Sequence, residues 1–260
     1  MSAVALVTGG GGGIGAAVCG SLARRGYRVL VVDVDADAAS EVAESFGGTA
    51  FAADVRDPEQ NRAMVAHATQ TFGRLDLTVL NAGIASGQSP GEPLSTGKYR
   101  AVTGVNLDGV VFGIDAAVPA LAQWHGTIVV NASVAGLAPD ADNPLYAMTK
   151  AAGIAYARGM APTLAALGVR ILAVCPSLTD TAILGALNRR FLVRQKFPLL
   201  TADEVAAALT TVLDEAGSGE VWTVVAGQPP TRYDFPALPP TRYPDGTEAV
   251  FRPFLAPKSR

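Results

Sequence analysis

Cysteine, histidine and long apolar runs are all scarce in this chain of 260 residues. Cys19 and Cys175 are the only thiols, which excludes a disulfide framework. Two histidines and two isolated cysteines offer no ligand spacing for a structural zinc site, so no metal is expected. Charge is also thin, at 17% of residues, with 20 Lys+Arg against 23 Asp+Glu and a net −3. That balance gives no basic footprint for nucleic acid. No apolar run approaches the roughly 20 residues of a membrane span, so no membrane partner is expected. The opening Met-Ser-Ala-Val-Ala-Leu-Val lacks a basic n-region and runs straight into glycines, so it does not read as a signal peptide. A cytoplasmic location is therefore expected. What the chain does have is 49% apolar residues and the length of one α/β domain, enough for a core without staples.

Short β-branched runs alternate with longer amphipathic stretches. The runs are Val4–Val7, Arg28–Val32, Thr49–Ala53, Leu77–Leu80, Thr127–Val130, Val169–Val174 and Glu220–Val225. Helical patterns fill 13–26, 36–46, 58–72, 96–122, 144–167 and 202–215. Runs such as Val29-Leu-Val-Val32 are apolar on both faces, which suits strands covered by helices on either side. Regular alternation of this kind predicts a parallel sheet with right-handed crossovers, a doubly wound α/β fold of seven strands. Two stretches break the rhythm. Residues 177–200 form a long connection placed where such sheets carry a lid over their ligand. Residues 228–260 hold 8 of the 17 prolines, so the domain is expected to end at 227 and a proline-rich tail to follow. In that tail Pro229-Pro-Thr-Arg-Tyr233 recurs as Pro239-Pro-Thr-Arg-Tyr243. Tyr233, Phe235, Tyr243, Phe251 and Phe254 read as anchors of an arm docked on the body or on a neighbouring subunit.

The first strand ends in Thr8-Gly-Gly-Gly-Gly-Gly-Ile-Gly15, and a helix follows at once. Glycines in that context let the backbone turn sharply and let a diphosphate approach the free N–H groups of the helix. No Gly-Lys-Ser/Thr follows, which excludes a nucleoside-triphosphate loop and leaves a dinucleotide. Asp33 closes the second strand, where a carboxylate accepts from ribose hydroxyls and repels a 2′-phosphate. Neither Gly12 nor Val34 is basic, so NAD is expected over NADP.

Tyr146 and Lys150 stand four apart at the start of the helix at 144–167, on one face. A tyrosine with its ordinary pKa near ~10 is a poor base at neutral pH, and a nearby lysine is expected to lower it. Ser133 lies at the end of the fifth strand, the side of an open α/β sheet where ligands bind. A competing signal, Gly87-Gln-Ser89-Pro-Gly91, matches the nucleophile elbow of hydrolases. The elbow needs a strand before it and a helix directly after, and Pro90 and Pro93 deny the helix. Neither His67 nor His125 stands downstream of an acid in a plausible triad.

With the glycine loop, Asp54-Val55, Asn81-Ala-Gly83, Asn106, Ser133, Tyr146-x-x-x-Lys150 and Pro176…Thr181 in this order, the chain resembles the short-chain dehydrogenase/reductase family over residues 3–226. The resemblance leans toward its NAD-dependent alcohol dehydrogenases, including the prostaglandin-dehydrogenase-like group. It implies a Rossmann-type sheet in strand order 3-2-1-4-5-6-7 with helices on both faces, assembled as a homodimer or homotetramer. It also implies a secondary alcohol or ketone as the small-molecule substrate. Tyr146 would remove the alcohol proton while hydride leaves for nicotinamide, Lys150 would hold the nicotinamide ribose, Ser133 the substrate oxygen, and Asn106 a proton-relay water. Gly9, Gly12, Gly13, Ile14 and Asp33 would bind the dinucleotide together with Asp54, Val55, Asn81, Ala82, Gly83, Pro176, Thr179 and Thr181. Two alternatives stay open: a carbonyl reductase working mainly with NADPH, and a dinucleotide sensor without catalysis.

The family's glycine after Pro176 is Ser177 here, which is expected to restrict that turn, and Pro162 is expected to kink the long helix. Substrate walls are expected from 84–96, 134–144 and the lid. Arg190 and Arg194 on the lid read as a solvated face or, more sharply, as charge partners for an anionic, lipophilic alcohol.

Overall fold

Strands apolar on both faces come together in the middle of the molecule, and the computed structural model describes them within residues 2–89 and 91–249. Strands β1 (Val4–Thr8), β2 (Arg28–Asp33), β3 (Thr49–Ala52), β4 (Leu77–Leu80), β5 (Thr127–Asn131), β6 (Arg170–Pro176) and β7 (Val221–Val224) pair in parallel in the order β3-β2-β1-β4-β5-β6-β7. The two-residue periodicity sends Val4 and Leu6 into one helix layer and Ala5 and Val7 into the other. Helices α1 (Gly13–Arg24), α2 (Ala36–Glu44) and α8 (Ala202–Glu215) cover the second face, with Leu22, Ala39 and Leu209 in its core. On the first face lie α3 (Pro58–Phe72), α5 (Gly109–Ala122) and α6 (Pro144–Ala166), contributing Met64, Ile114 and Ile154.

The seven-strand expectation is short by one. An eighth strand, β8 (Thr231–Arg232), pairs antiparallel with β7, so the sheet is mixed at its edge and continues past residue 227. Pro229 and Pro230 hide it in the sequence, because prolines lack the donor that a ladder needs. Beyond them Thr231 and Arg232 pair freely, and the Tyr233 N–H donates to the Val221 carbonyl at 2.7 Å. Tyr233 packs on the core, stacks edge-on with Phe235, and Arg158 of α6 lies 3.5 Å above the Phe235 ring. The first Pro-Pro-Thr-Arg-Tyr copy is thus docked on the body. The second makes a small bridge between Arg242 and Glu248 and leaves Tyr243 exposed. Phe251 and Phe254 lie outside the described residues, as does Pro90.

The helix expected at 96–122 is three pieces: α4 (Thr96–Thr103), a π-helical turn at Gly104–Asp108, and α5. By length and mean hydropathy alone these 27 residues could cross a membrane, although Lys98, Arg100, Asp108 and Asp115 interrupt the apolar pattern. Here Val110, Ile114, Ala117 and Leu121 are packed in the protein core instead. Helix α6 runs unbroken through Pro162.

The 177–200 connection carries a short 3-10 turn (Ala182–Leu184) and α7 (Ala186–Arg194). Its two ends are stitched together. Leu200 donates to the Leu178 carbonyl at 2.9 Å, and Asp180 donates to the Leu200 carbonyl at 2.7 Å. Ser177 continues the pairing by donating to Val224 at 2.8 Å. Its φ is not positive, so the turn does not need the glycine it lacks.

Candidate active site

The carboxyl ends of β1, β4, β5 and β6 bring the candidate residues to one edge of the sheet. At the end of β1, Gly9 has φ +62°, a left-handed conformation suited to glycine. The tightest point is Gly15, where a Cβ would stand 1.9 Å from the Gly9 carbonyl oxygen and 2.6 Å from Asn81 Nδ2. Backbone cannot yield that far. Gly15→Ala is expected to destabilise the protein by about 1–3 kcal/mol and to abolish any dinucleotide-induced rise in melting temperature. Differential scanning fluorimetry with and without NAD measures both.

Helices α2, α3, α4 and α8 begin with side-chain caps from Asp35, Asp57, Ser95 and Thr201. Among the described residues no side chain caps α1, and its first turn carries no acid. Its N–H groups and dipole therefore face Gly12 and Gly13 without a protein anion. A Cβ on Gly12 would meet nothing within 4 Å. One on Gly13 would lie 3.4 Å from the Thr181 methyl, so the start of the 177–200 connection lies against this helix end. The buried Thr181 Oγ1 finds no hydrogen-bond partner among the described residues. An uncapped helix end beside an orphaned hydroxyl fits a dinucleotide diphosphate.

Asp33 orders the rim. Its Oδ2 accepts from the Gly11 N–H at 2.9 Å and its Oδ1 from the Asp35 N–H at 3.1 Å, which leaves lone pairs for ribose hydroxyls. Asp35 and Asp37 add negative charge beside it. Ala53 N–H donates to the Asp33 carbonyl, placing Asp54 and Val55 next to this rim. The Asp54 carboxylate is already engaged by Arg56 at 2.5 and 2.9 Å, which holds it below the usual carboxylate range. The Val55 side chain is buried against Gly109 rather than turned outward.

Asn81 acts as a latch. Its Nδ2 donates to the carbonyls of Thr8 and Gly9 at 3.0 and 3.1 Å, and its Oδ1 accepts from Asn131 Nδ2 at 2.8 Å. The N–H groups of Asn81 and Ala82 both donate to Thr8 Oγ1. With both amide hydrogens engaged, the Asn81 side chain shapes the glycine loop and has no donor left for a ligand.

The catalytic candidates converge beside it. Lys150 is buried, its Nζ donates to the Asn131 carbonyl at 2.9 Å, and it lies 5.6 Å from the centre of the Tyr146 ring. A Cβ on Gly83 would be 3.4 Å from Lys150 Nζ and 3.6 Å from Asn106 Oδ1, so this backbone lies against both side chains. Asn106 sits in the π-helical turn. Its Oδ1 accepts from Ile84 N–H at 2.8 Å, and its Nδ2 donates to the Ile84 carbonyl at 3.0 Å and to Thr149 Oγ1 at 3.1 Å. Thr149 in turn donates to the Tyr146 carbonyl at 2.7 Å. Ser133 caps the 3-10 turn at Val134–Gly136, accepting from Ala135 N–H at 3.1 Å, and its hydroxyl stands beside the Tyr146 phenol. Pro176 is at the end of β6, and the buried Thr179 donates to the Ser177 carbonyl at 2.9 Å.

Burial pushes the Tyr146 phenol above its ordinary value, with Ser133 opposing and Asp140 adding to the rise. Burial also pulls Lys150 down to about 8, so the lysine is itself short of solvation. Asn131 and Thr149, which position this lysine and asparagine, were not among the sequence candidates; Asn131 stands two residues before Ser133 at the same strand end. On the lid, Arg189 pairs with Asp180 at 2.5 and 2.8 Å. Arg190 and Arg194 are exposed, two positions either side of the half-buried Leu192 and hence on the opposite helix face. That arrangement favours the solvated reading. Ser89 lies in irregular chain well before α4, as no nucleophile elbow does.

A sequence model described as short chain dehydrogenase matches residues 3–190. The cis-4-hydroxycyclohexanecarboxylate dehydrogenase of Sinomonas cyclohexanicum is 34% identical over 234 residues, covering 86% of this chain and 94% of the relative. The meso-2,3-butanediol dehydrogenase of Serratia marcescens is 33% identical over 225 residues, covering 83% and 88%. Among solved structures, the 3-ketoacyl-(acyl-carrier-protein) reductase from Brucella melitensis complexed with NADH superposes with a TM-score of 0.79 at 28% identity, covering 86% of this chain and 97% of that one.

Proposed function

This chain belongs to the short chain dehydrogenase family, as an oxidoreductase working with a nicotinamide cofactor, and from that premise we propose that it oxidises a small secondary alcohol, or reduces the matching ketone, with NAD(H). The observation that carries the reading is the convergence of Ser133, Tyr146, Lys150 and Asn106 beside an uncapped helix end with an acidic rim. Relatives named for hydroxycyclohexanecarboxylate and butanediol support an alcohol as substrate.

The bound dinucleotide supplies the hydride acceptor. The chain's own residues hold it and move the proton. The glycine loop and Thr181 receive the diphosphate, Asp33 the adenosine ribose, and Lys150 the nicotinamide ribose. Ser133 donates to the substrate oxygen, and Tyr146 takes the alcohol proton as general base or returns it as acid. Asn106 sits in the π-helical turn, whose main-chain carbonyls would hold the relay water. We place the enzyme in the cytoplasm as a homodimer or homotetramer, with a catalytic domain whose sheet takes in β8 beyond residue 227 and the remainder of 228–260 as its proline-rich tail.

Asp33, Asp35 and Asp37 support NAD over NADP, since carboxylates at the ribose repel a 2′-phosphate. Titration of the purified protein with each dinucleotide is expected to raise the melting temperature with NAD and leave it unmoved with NADP. Secondary alcohols should then give NADH absorbance at alkaline pH. Stabilisation by NADP instead would move the assignment to an NADPH-dependent carbonyl reductase.

A further inference from the structure

Two expected substrate walls meet in one side-chain hydrogen bond, in which Ser86 Oγ donates to Asn143 Oδ1. Ser86 is only 5% exposed, and its oxygen also accepts from the Gln88 N–H at 3.2 Å. Gln88 folds the rest of that wall, with Oε1 accepting from Ser95 N–H at 3.0 Å and Nε2 donating to the Pro93 carbonyl at 3.3 Å. The serine is therefore fixed from its own loop before it reaches across.

Asn143 occupies the N-cap of α6, where asparagine ordinarily accepts from the first-turn N–H groups and stabilises the helix. It makes no capping bond here, and its oxygen is turned to Ser86 instead. With the oxygen engaged by Ser86, the amide NH₂ is left on the other branch. Asn143 precedes Tyr146 by three residues and Lys150 by seven, a spacing that keeps all three on one helical face. The charge nearby is negative. Asp140 Oδ1 accepts from the N–H groups of Asn143 and Asp142, both at 3.1 Å, and its charge reaches the Tyr146 phenol. An anionic group would be repelled there, whereas an uncharged acceptor oxygen would find a donor.

We propose that the Asn143 amide, oriented by Ser86, donates to a second, uncharged oxygen of the substrate, and so selects hydroxyketones and diols over simple secondary alcohols. The inference rests on the oxidoreductase reading above. Asn143 touches the substrate; Ser86 is a positioning residue that acts through it.

The test compares kcat/KM for 3-hydroxy-2-butanone and 2-butanol in the wild type and in Asn143→Leu, Asn143→Asp and Ser86→Ala, each with NAD. The ratio of the two values should fall about tenfold or more in both Asn143 variants, because a site built to donate discriminates by that bond. In Asn143→Asp an acceptor replaces the donor while Ser86 keeps its partner. Ser86→Ala frees the amide to rotate and should lower the ratio part-way. An NAD-induced thermal shift in each variant checks that it is folded. An unchanged ratio in Asn143→Leu, or an equal fall for both substrates, overturns the inference and leaves the parent reading intact. Wild-type oxidation of 2-butanol establishes the parent reading by itself; turnover of neither alcohol overturns both.

Discussion

Tyr146→Phe is expected to cut kcat for alcohol oxidation by about 10²–10⁴-fold, the usual contribution of a positioned acid–base group. The ring is retained, so the half-buried slot stays filled and Lys150 keeps the aromatic neighbour 5.6 Å away. Melting temperature and most of the NAD-induced shift should survive, which separates lost chemistry from lost structure. The wild-type pH profile carries the same information. The base form is the phenolate, and burial holds the phenol above its ordinary value before dinucleotide binds. Oxidation kcat/KM should therefore climb with pH through the alkaline range. Ketone reduction needs the protonated phenol and should fall over that interval. A pH-independent kcat/KM for oxidation, or a phenylalanine variant as active as the wild type, removes Tyr146 from the mechanism.

Lys150→Met is expected to change how stability depends on pH. The Lys150 ammonium is buried, which pulls its pKa from 10.5 to about 8. Below pH 8 both folded and unfolded chains carry the charge, and the folded state bears the full desolvation cost. Between 8 and 10.5 the unfolded chain binds more protons than the folded one, so stability rises with pH and the cost disappears. At about 1.4 kcal/mol per pKa unit, the wild type should gain roughly 3 kcal/mol relative to Lys150→Met across that window. The buried thiols of Cys19 and Cys175, each pushed up to about 12, erode stability above pH 9; Cys19 does so equally in both proteins, while Cys175 loses the lowering influence of the Lys150 charge in the variant, so pH 7 to 9 gives the cleanest comparison. Urea unfolding of the two proteins at pH 7, 8, 9 and 10 measures the effect. A constant difference over that range would place the lysine in a solvated setting.

The central strands were legible because Val, Leu and Ala runs apolar on both faces have few other places to go, and the helices because amphipathic stretches fill the intervals between those runs. The candidate residues were legible as residue types at fixed intervals. Their partners were not. Nothing in the 96–122 pattern shows that the helix opens into a π-helical turn around Asn106, since that depends on a hydrogen bond to Ile84, 22 residues away. The direction of the Tyr146 shift depends on how deeply the phenol itself is buried, which spacing does not report. β8 was masked by the prolines before it, and the Ser86–Asn143 bond joins residues 57 apart with no local signature.

The stitched neck of the 177–200 connection makes everything between Asp180 and Leu200 a detachable cassette. Its ends are already adjacent through the Leu178, Asp180 and Leu200 backbone, and both Thr179 and Leu200 are anchored in the interior. For a loop whose ends are clamped, closure entropy grows only logarithmically with length, by about 0.6 kcal/mol per doubling. Insertions, deletions or wholesale exchange within 182–198 are therefore expected to leave the sheet and Ser133, Tyr146 and Lys150 unperturbed, and under the proposed function they would remodel the segment expected to cover the substrate. Divergence toward new substrates has a route through this chain that avoids its core.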